Sequence, residues 1–502
     1  MRVMKVGGGC LNGKKTIESI VDLIACRGKG HVFVLSALHG VTDFLITSLQ
    51  AALADETHIP VITGKLKTRH LLVARHLIQP KQNLKEYTRE LEKSLGKLER
   101  LYYGLNFTRA ITPRLTDVIS SYGERFSAQL LTAILRSRGL SATCRMPHEI
   151  GLITDGKYGD ATADLTKTSR HFKTHLSPLI GGDKILFLPG FFGTSEEGEI
   201  TTFGRGGSDY SAAVAAVALN AERLDIWKDT EGFMSADPRL VPEARLIPVL
   251  SYEEAAELAY FGAKILHPRT VEPARRRKMN IAIKNTLAPD AEGSLITSRS
   301  ARPKHVIKSV AYDTDIGILK VHASGVGARP GILGEVATCV ADSGINIKSV
   351  VTSQTCISLL LAQKDMEKAR QALMGIRPRP FRKLDRLTDV ALIGIVGDGI
   401  QHRDGIAAET REAGDDCLIL GEIAVAGERR ELLDQLVDVV GEMRAIRMAG
   451  DLGLLPGVEL GVGLAQQLLG ARHALIRERD GLRLLVDQKV TRRLLVPVLV
   501  FD

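Results

Sequence analysis

The chain has 502 residues, 44% hydrophobic and 25% charged, a balance that fits several globular domains with a sizeable core. No apolar run reaches the ~20 residues that cross a bilayer, residues 1–6 run straight into a strand and glycine loop rather than a signal peptide, and six scattered cysteines without a Cys-x-x-Cys pair argue against a zinc site or disulfide framework. The net charge of +9 requires weighing nucleic acid, but the longest basic run, Arg275-Arg276-Arg277-Lys278, has no interleaved aromatic residues, so anionic small molecules are the expected partners, with no nucleic acid, no membrane and a cytoplasmic location.

In chain order, residues 2–6 read as a short apolar strand ended by Gly7-Gly8-Gly9. A lysine near the end of such a strand, Lys5, can reach a transferring phosphoryl group while loop amides cradle phosphates; the plainer reading is a strand-end lysine before a turn. The stretch is not a P-loop, because the Gly-Lys-Ser/Thr ending is missing. Residues 14–26 carry Ile17, Ile20, Val21 and Ile24 on one helical face, and 31–36 form a buried-type strand. Ser36 to Asp43 then places hydroxyls at a strand end leading into a helix from about Asp43, either for anion binding or for an ordinary N-cap by Thr42 or Asp43. Residues 63–108 are helical and charged, and Ser121-Tyr122-Gly123-Glu124 opens another helix. Glu124 there complements the helix dipole or accepts an ammonium.

Strands recur at 184–189, 224–227 and 280–285, and repeated strand–helix units imply an α/β fold with a largely parallel sheet. Ligands in such sheets lie beyond the carboxyl ends of the strands. Phe203-Gly204-Arg205-Gly206-Gly207-Ser208-Asp209 falls just before a small-residue helix. Its glycines allow close backbone approach, Arg205 suits a carboxylate or phosphate, and Asp209 suits a lysine or a substrate ammonium. Together they describe a site for a small zwitterion beside a phosphate. Trp227-Lys228-Asp229, Asp237-Pro238-Arg239 and Phe261-Gly262-Ala263-Lys264 follow strand ends where a nucleotide would lie; capped loops are the plainer reading. His267, before a proline, reads as structural. After a polar linker at 297–305 the pattern becomes strand–loop–helix–strand, with strands at 317–322 and 345–351, a helix at about 332–343, and a weak repeat near 390–408. Residues 428–446 read as an amphipathic helix.

In this order the motifs resemble those of aspartate kinases of the amino-acid-kinase superfamily with paired ACT regulatory modules, over about residues 2–408. The resemblance implies an amino-acid-kinase domain over 1–297, a linker at 298–305, an ACT-like α+β (ferredoxin-like) module over 306–385 and a second over 386–502, diverged or frame-shifted after about 409. It implies transfer of a phosphoryl group from ATP, with Mg2+, to the side-chain carboxylate of L-aspartate, as the first step toward lysine, threonine and methionine. Lys5 would bridge the moving phosphoryl group, held by Asp209. Arg205 would clamp the α-carboxylate with Ser208 and Thr42, Glu124 would take the ammonium, and Phe191 would wall the pocket. Gly7, Gly8 and Ser36 would line phosphates, and Lys228, Asp229, Arg239 and Lys264 would surround the nucleotide. An amino-acid effector would bind at Gly331, Ile332, Leu333, Asn346 and Ile347, with a homodimer or larger homo-oligomer formed through the ACT modules. Lysine-sensitive relatives often carry an aspartate where Lys348 stands, so a neutral effector is expected. The family's usual Lys-Phe-Gly-Gly-Thr-Ser opening is here Lys5-Val6-Gly7-Gly8-Gly9-Cys10, which replaces two hydroxyls by a hydrogen and a thiol. That change, with the altered second module, sets out an alternative: a catalytically weak homologue that senses amino acids.

Overall fold

The computed structural model describes residues 1–263, 265–298, 307–326, 329–388, 390–397, 418–420 and 423–426. It divides into two compact units, one holding Met1–Tyr312 and the described residues 393–397, the other Asp313–Leu392 and the described residues from 418 on. This division falls at 312/313 rather than in the polar stretch at 297–305. Lys308 and Val310 explain why: their backbone N–H groups donate to Val396 (2.9 Å) and Ser235 (2.9 Å) within the first unit.

The first unit is organised by an eight-stranded sheet. In chain order its strands are β1 (Val3–Val6), β2 (Val32–Leu35), β3 (Ala142–Cys144) and β4 (Ile185–Pro189), then, after a β5–β6 hairpin (Phe192–Thr194, Ile200–Thr202), β7 (Leu224–Lys228), β8 (Val249–Ser251), β9 (Ile281–Asn285) and β10 (Ser294–Thr297). The spatial order is β3-β4-β2-β1-β7-β9-β10-β8, parallel throughout except that β10 runs against β9. Parallel strands covered on both faces must be apolar along their length, and β1, β2 and β4 are buried at every residue.

Register decides where the chemistry falls. Val6 sits opposite both Leu35 and Trp227, and Leu35 opposite Pro189. The residues that follow, Gly7, Ser36 and Gly190, therefore emerge with Lys228 at the carboxyl ends of neighbouring central strands. Alternation along β1 sends Met4 and Val6 into a large apolar cluster with Phe33, Leu35, Phe126 and Ile134. Lys5 points to the opposite face.

The helices of the first unit are α1 (Lys14–Arg27), α2 (Val41–Ala54), α3 (His58–Leu77), α4 (Lys81–Thr108), α5 (Pro113–Ser120), α6 (Tyr122–Ser137), α7 (Pro147–Ile150), α8 (Leu165–His175), α9 (Gly207–Ala218), α10 (Tyr252–Tyr260) and α11 (Pro268–Arg277). Two expectations need correction. The helical stretch at 63–108 is two helices broken before Pro80, whose ring and missing N–H cannot continue a helix. The helix expected from Asp43 begins at Val41, with left-handed Gly40 as N-cap, so neither Thr42 nor Asp43 caps it.

The second unit alternates strand and helix as β12 (Gly317–His322), α12 (Ile332–Asp342), β13 (Ile347–Thr352), β14 (Cys356–Leu361), α13 (Met366–Met374) and β15 (Lys383–Leu387), after β11 (Ser309–Asp313) at the boundary. Its sheet, β13-β14-β12-β15, is antiparallel, and Leu319, Val321, Val336, Val340, Leu359 and Leu373 fill its core. Beyond it, Ala391–Val396 is a strand, and Leu418–Leu420 pairs with Ile423–Ala426. The expected repeat at 405–408 and helix at 428–446 lie outside the described residues.

Candidate active site

Two helix starts and two strand ends converge on Lys5. Asp209 lies in the first turn of α9, where the helix dipole favours a carboxylate. Its carboxylate makes a close ion pair with the Lys5 ammonium, and its other oxygen lies 3.4 Å from Lys228 Nζ at the end of β7. All three side chains are largely buried, with Asp209 and Lys5 each under a tenth exposed. Burial alone would raise the Asp209 carboxyl, but Lys5 and Lys228 outweigh it and hold it below the usual range. Burial lowers Lys5 from the normal lysine range, with Asp209 opposing and Lys228 adding to the fall. One carboxylate between two ammoniums leaves a buried net positive charge, an electrostatic hole shaped for an anion.

The opening loop runs beside it. Gly7 N–H donates to Trp227 O (3.1 Å), and a short 3-10 turn at Gly8–Leu11 follows. A side chain at Gly8 would meet the Ala37 carbonyl and Ser36 at 3.4 and 3.9 Å. Any Cβ at Gly9 would stand 2.9 Å from Asp229 Oδ2, so the Asp229 carboxylate occupies the place a side chain would take. Cys10 is fully buried; its thiol donates to Trp227 O (3.6 Å) and accepts from Thr286 (3.7 Å), and burial raises its pKa. It is a packing group, as expected of a neutral buried thiol.

On the other side, Ser208 Oγ donates to Glu124 Oε1 (3.4 Å), joining the first turns of α9 and α6. Glu124 is only 3% exposed, and among the described residues its Oε2 has no hydrogen-bond partner. Burial pushes its carboxyl up to about 8. A buried acceptor without a donor is costly unless something supplies one. Thr42 Oγ1 lies 3.3 Å from where a side chain at Gly123 would stand, next to Glu124. Phe191, at φ 75°, sets its ring against Gly207. Arg205 stands exposed at the turn before α9, and among the described residues no ion pair engages it.

Lys5, Gly7, Gly8, Ser36, Thr42, Glu124, Phe191, Ser208, Asp209, Lys228 and Asp229 are thus linked by contact or chain adjacency. Arg239 is not tied to them: its exposed guanidinium is bound to Asp237 Oδ1 and Oδ2 at 3.0 and 2.6 Å. Lys264 lies outside the described residues.

A family model described as the amino acid kinase family matches residues 1–285, and a second, for the ACT domain, matches 319–375. The chain belongs to the amino acid kinase family. Its curated relatives include the bifunctional aspartokinase/homoserine dehydrogenase of Haemophilus influenzae, 29% identical over 81% of this chain and 51% of that protein. Others are the chloroplastic aspartokinase 2 of Arabidopsis thaliana (31%, 72% and 66%) and the lysine-sensitive aspartokinase 3 of Escherichia coli (27%, 81% and 89%). The chain spans about half the length of the bifunctional relatives. Among solved structures, E. coli aspartokinase III in complex with aspartate and ADP is similar at a TM-score of 0.74 and 25% identity, over 88% of this chain and all of that one.

Two further residues of this family member bear on the site and carry no signal in the sequence. Asp117, buried on α5, accepts from Thr202 N–H and Oγ1 and from Gly159 N–H at 2.8, 2.9 and 2.8 Å, joining two loops below the Arg205 turn. Arg269, on α11, grips the same loops. Neither sits in a glycine-rich stretch, and their partners lie 42 to 108 residues away, so no local spacing marks them.

Proposed function

We propose that this protein is an aspartate kinase, transferring the terminal phosphoryl group of MgATP to the side-chain carboxylate of L-aspartate. The observation that carries this is Asp209 between two ammoniums. A kinase acting on a hydroxyl needs a general base, whereas a carboxylate acceptor arrives ionised and needs none. Asp209, held in its ionised form by Lys5 and Lys228, is a poor base and a good organiser of cations. Such a site contributes positioning and charge neutralisation, which together supply most of the catalysis in phosphoryl transfer.

In this reading Lys5 and Lys228 flank the moving phosphoryl group, and the Gly7–Gly8 loop with Ser36 receives the phosphates. Glu124 takes the substrate ammonium on its open oxygen, and Arg205, helped by Ser208 and Thr42, takes the α-carboxylate. Phe191 closes the pocket wall. Mg2+ would come in on the nucleotide and need few dedicated protein ligands. Asp229, pressed on the loop at Gly9, is the carboxylate that would help hold that cation, whose charge would offset that of the phosphates. Arg239 and Lys264 are assigned to the nucleotide by family resemblance alone.

Regulation is assigned to the second unit, with an amino acid at the start of α12 (Gly331, Ile332, Leu333) and beside β13 (Asn346, Ile347). Lys348 of β13 pairs with Asp313 (2.5 Å) and with the Asp315 carbonyl (3.3 Å). Asp313 neutralises this ammonium, so the choice of effector rests on resemblance: lysine-sensitive relatives often carry an aspartate where Lys348 stands, and threonine or another neutral amino acid is the regulator to test first. Aspartate-dependent ADP release from MgATP, titrated separately with lysine, threonine and methionine, tests both assignments. Amino-acid binding without aspartate-dependent turnover would favour a sensor instead.

A further inference from the structure

Arg205 sits between two glycines in the left-handed region, Gly204 (φ 70°) and Gly206 (φ 68°). A turn of this kind has little stiffness of its own. An exposed guanidinium on it would sweep many positions, at a cost in side-chain and loop entropy when it binds.

The first turn of α11 meets this turn from below. The Arg269 guanidinium donates to Phe203 O (3.0 Å), the last carbonyl before the turn, and to Ala161 O (2.7 Å). It pairs closely with Asp160 and lies 4.9 Å over the Tyr210 ring of α9. One planar fork thereby joins the strand entering the turn, the helix leaving it and the loop beside it. His267 completes the corner: a side chain at Gly206 would collide with its ring, and its Nδ1 accepts from Arg269 N–H (3.4 Å). Burial, then the Arg269 charge, keeps this imidazole below its usual range and hence able to accept. Helix stability does not explain Arg269. A cation in the first turn of a helix opposes the dipole, so its value lies in what it holds.

We propose that Arg269 is a positioning residue that braces the Gly204–Gly207 turn and aims Arg205 at the carboxylate of the acceptor. This rests on the reading of Arg205 as the α-carboxylate clamp. The Arg269 guanidinium is committed to Phe203 O, Ala161 O and Asp160, so its loss should act through the turn on aspartate and spare ATP.

Three variants test this, with folding followed by thermal melting. Arg269→Ala should raise the KM for aspartate at least tenfold and leave the KM for ATP within twofold. Asp160→Asn, which keeps Arg269 and its size, should shift the aspartate KM the same way by less, and decides the matter if Arg269→Ala does not fold. In an Arg205→Ala background, Arg269→Ala should add little, because the group it aims is already gone. Equal losses for both substrates, an unchanged aspartate KM, or additive effects in the double variant would overturn the proposal. Hydrogen exchange gives a readout independent of turnover: amides of residues 203–207 should exchange faster in Arg269→Ala, with the sheet unchanged, and unchanged exchange there refutes the brace. A wild-type protein without aspartate-dependent ADP release would sink the assigned reaction, while the exchange result would still judge the brace.

Discussion

The two ends of the candidate site are built on opposite principles. At the proposed phosphate end, Lys5, Asp209 and Lys228 are buried and already paired, fixed by strand ends and the first turn of α9. At the proposed acceptor end, Arg205 is exposed on a turn between two left-handed glycines, and Glu124 has one buried oxygen without a hydrogen-bond partner among the described residues. Charges set in place before substrate arrives need no reorganisation as the phosphoryl group moves, so they act on the rate. Groups that wait for a substrate charge act on its affinity. On the proposed function, the contrast teaches that one site would divide its work, with kcat resting on the strand ends and the aspartate KM on the turn.

The contrast breaks most sharply at Lys5. Lys5→Ala should lower kcat by at least about 10²–10³, the scale of losing a preorganised donor at developing charge, with little change in melting temperature. Normal turnover in a folded variant would remove the phosphate role. Arg205→Ala should raise the aspartate KM by about ten- to a hundredfold, the scale of a charge-assisted hydrogen bond of about 1.5–3 kcal/mol. A loss confined to kcat would erase the division between the two ends.

A third test uses pH. Glu124 must be ionised to hold an ammonium, and its pKa is pushed up to about 8. The aspartate KM should therefore fall as pH rises through about 8, and Glu124→Gln should flatten that dependence while weakening binding. The stability sign follows from the same shift. A carboxyl raised on folding stabilises the native state fully below its unfolded value, near 4.5, and that contribution is lost as pH rises to about 8. Glu124→Gln should accordingly raise the melting temperature more at pH 9 than at pH 5.

The opening loop gives the smallest effects. Restoring the family's threonine, Gly9→Thr, should lower kcat by several-fold, because its Cβ would press on Asp229; a gain in activity would show that Asp229 yields without harm. Cys10→Ser should change kcat less than about twofold, since the thiol bonds Trp227 and Thr286 rather than the reaction centre. Rapid labelling of Cys10 in the native protein would contradict its burial.

Much of the fold is legible in the sequence where the signal is local. Strand-end Lys5 before glycines, the glycine-rich turn around Arg205 and the hydrophobic periods of α1, β2, β4, β7 and β9 all stand within a few residues of their expected bounds. The start of α2 is not legible in this way, because a left-handed glycine does the work expected of a polar cap. The break in the long helical stretch is carried by Pro80 itself, a local signal that overrides the charged, helix-favouring residues around it.

By itself, then, the order of residues determined the strands, the helices and which side chains stand at their ends, because propensity and periodicity are set by near neighbours. Only the tertiary structure decided that one carboxylate serves two lysines, that Asp229 fills the space left by Gly9, and that Arg269 grips the turn carrying Arg205. Each of these joins groups far apart in the chain. Their meeting is fixed by parallel register and by helix packing, which no local stretch of sequence contains.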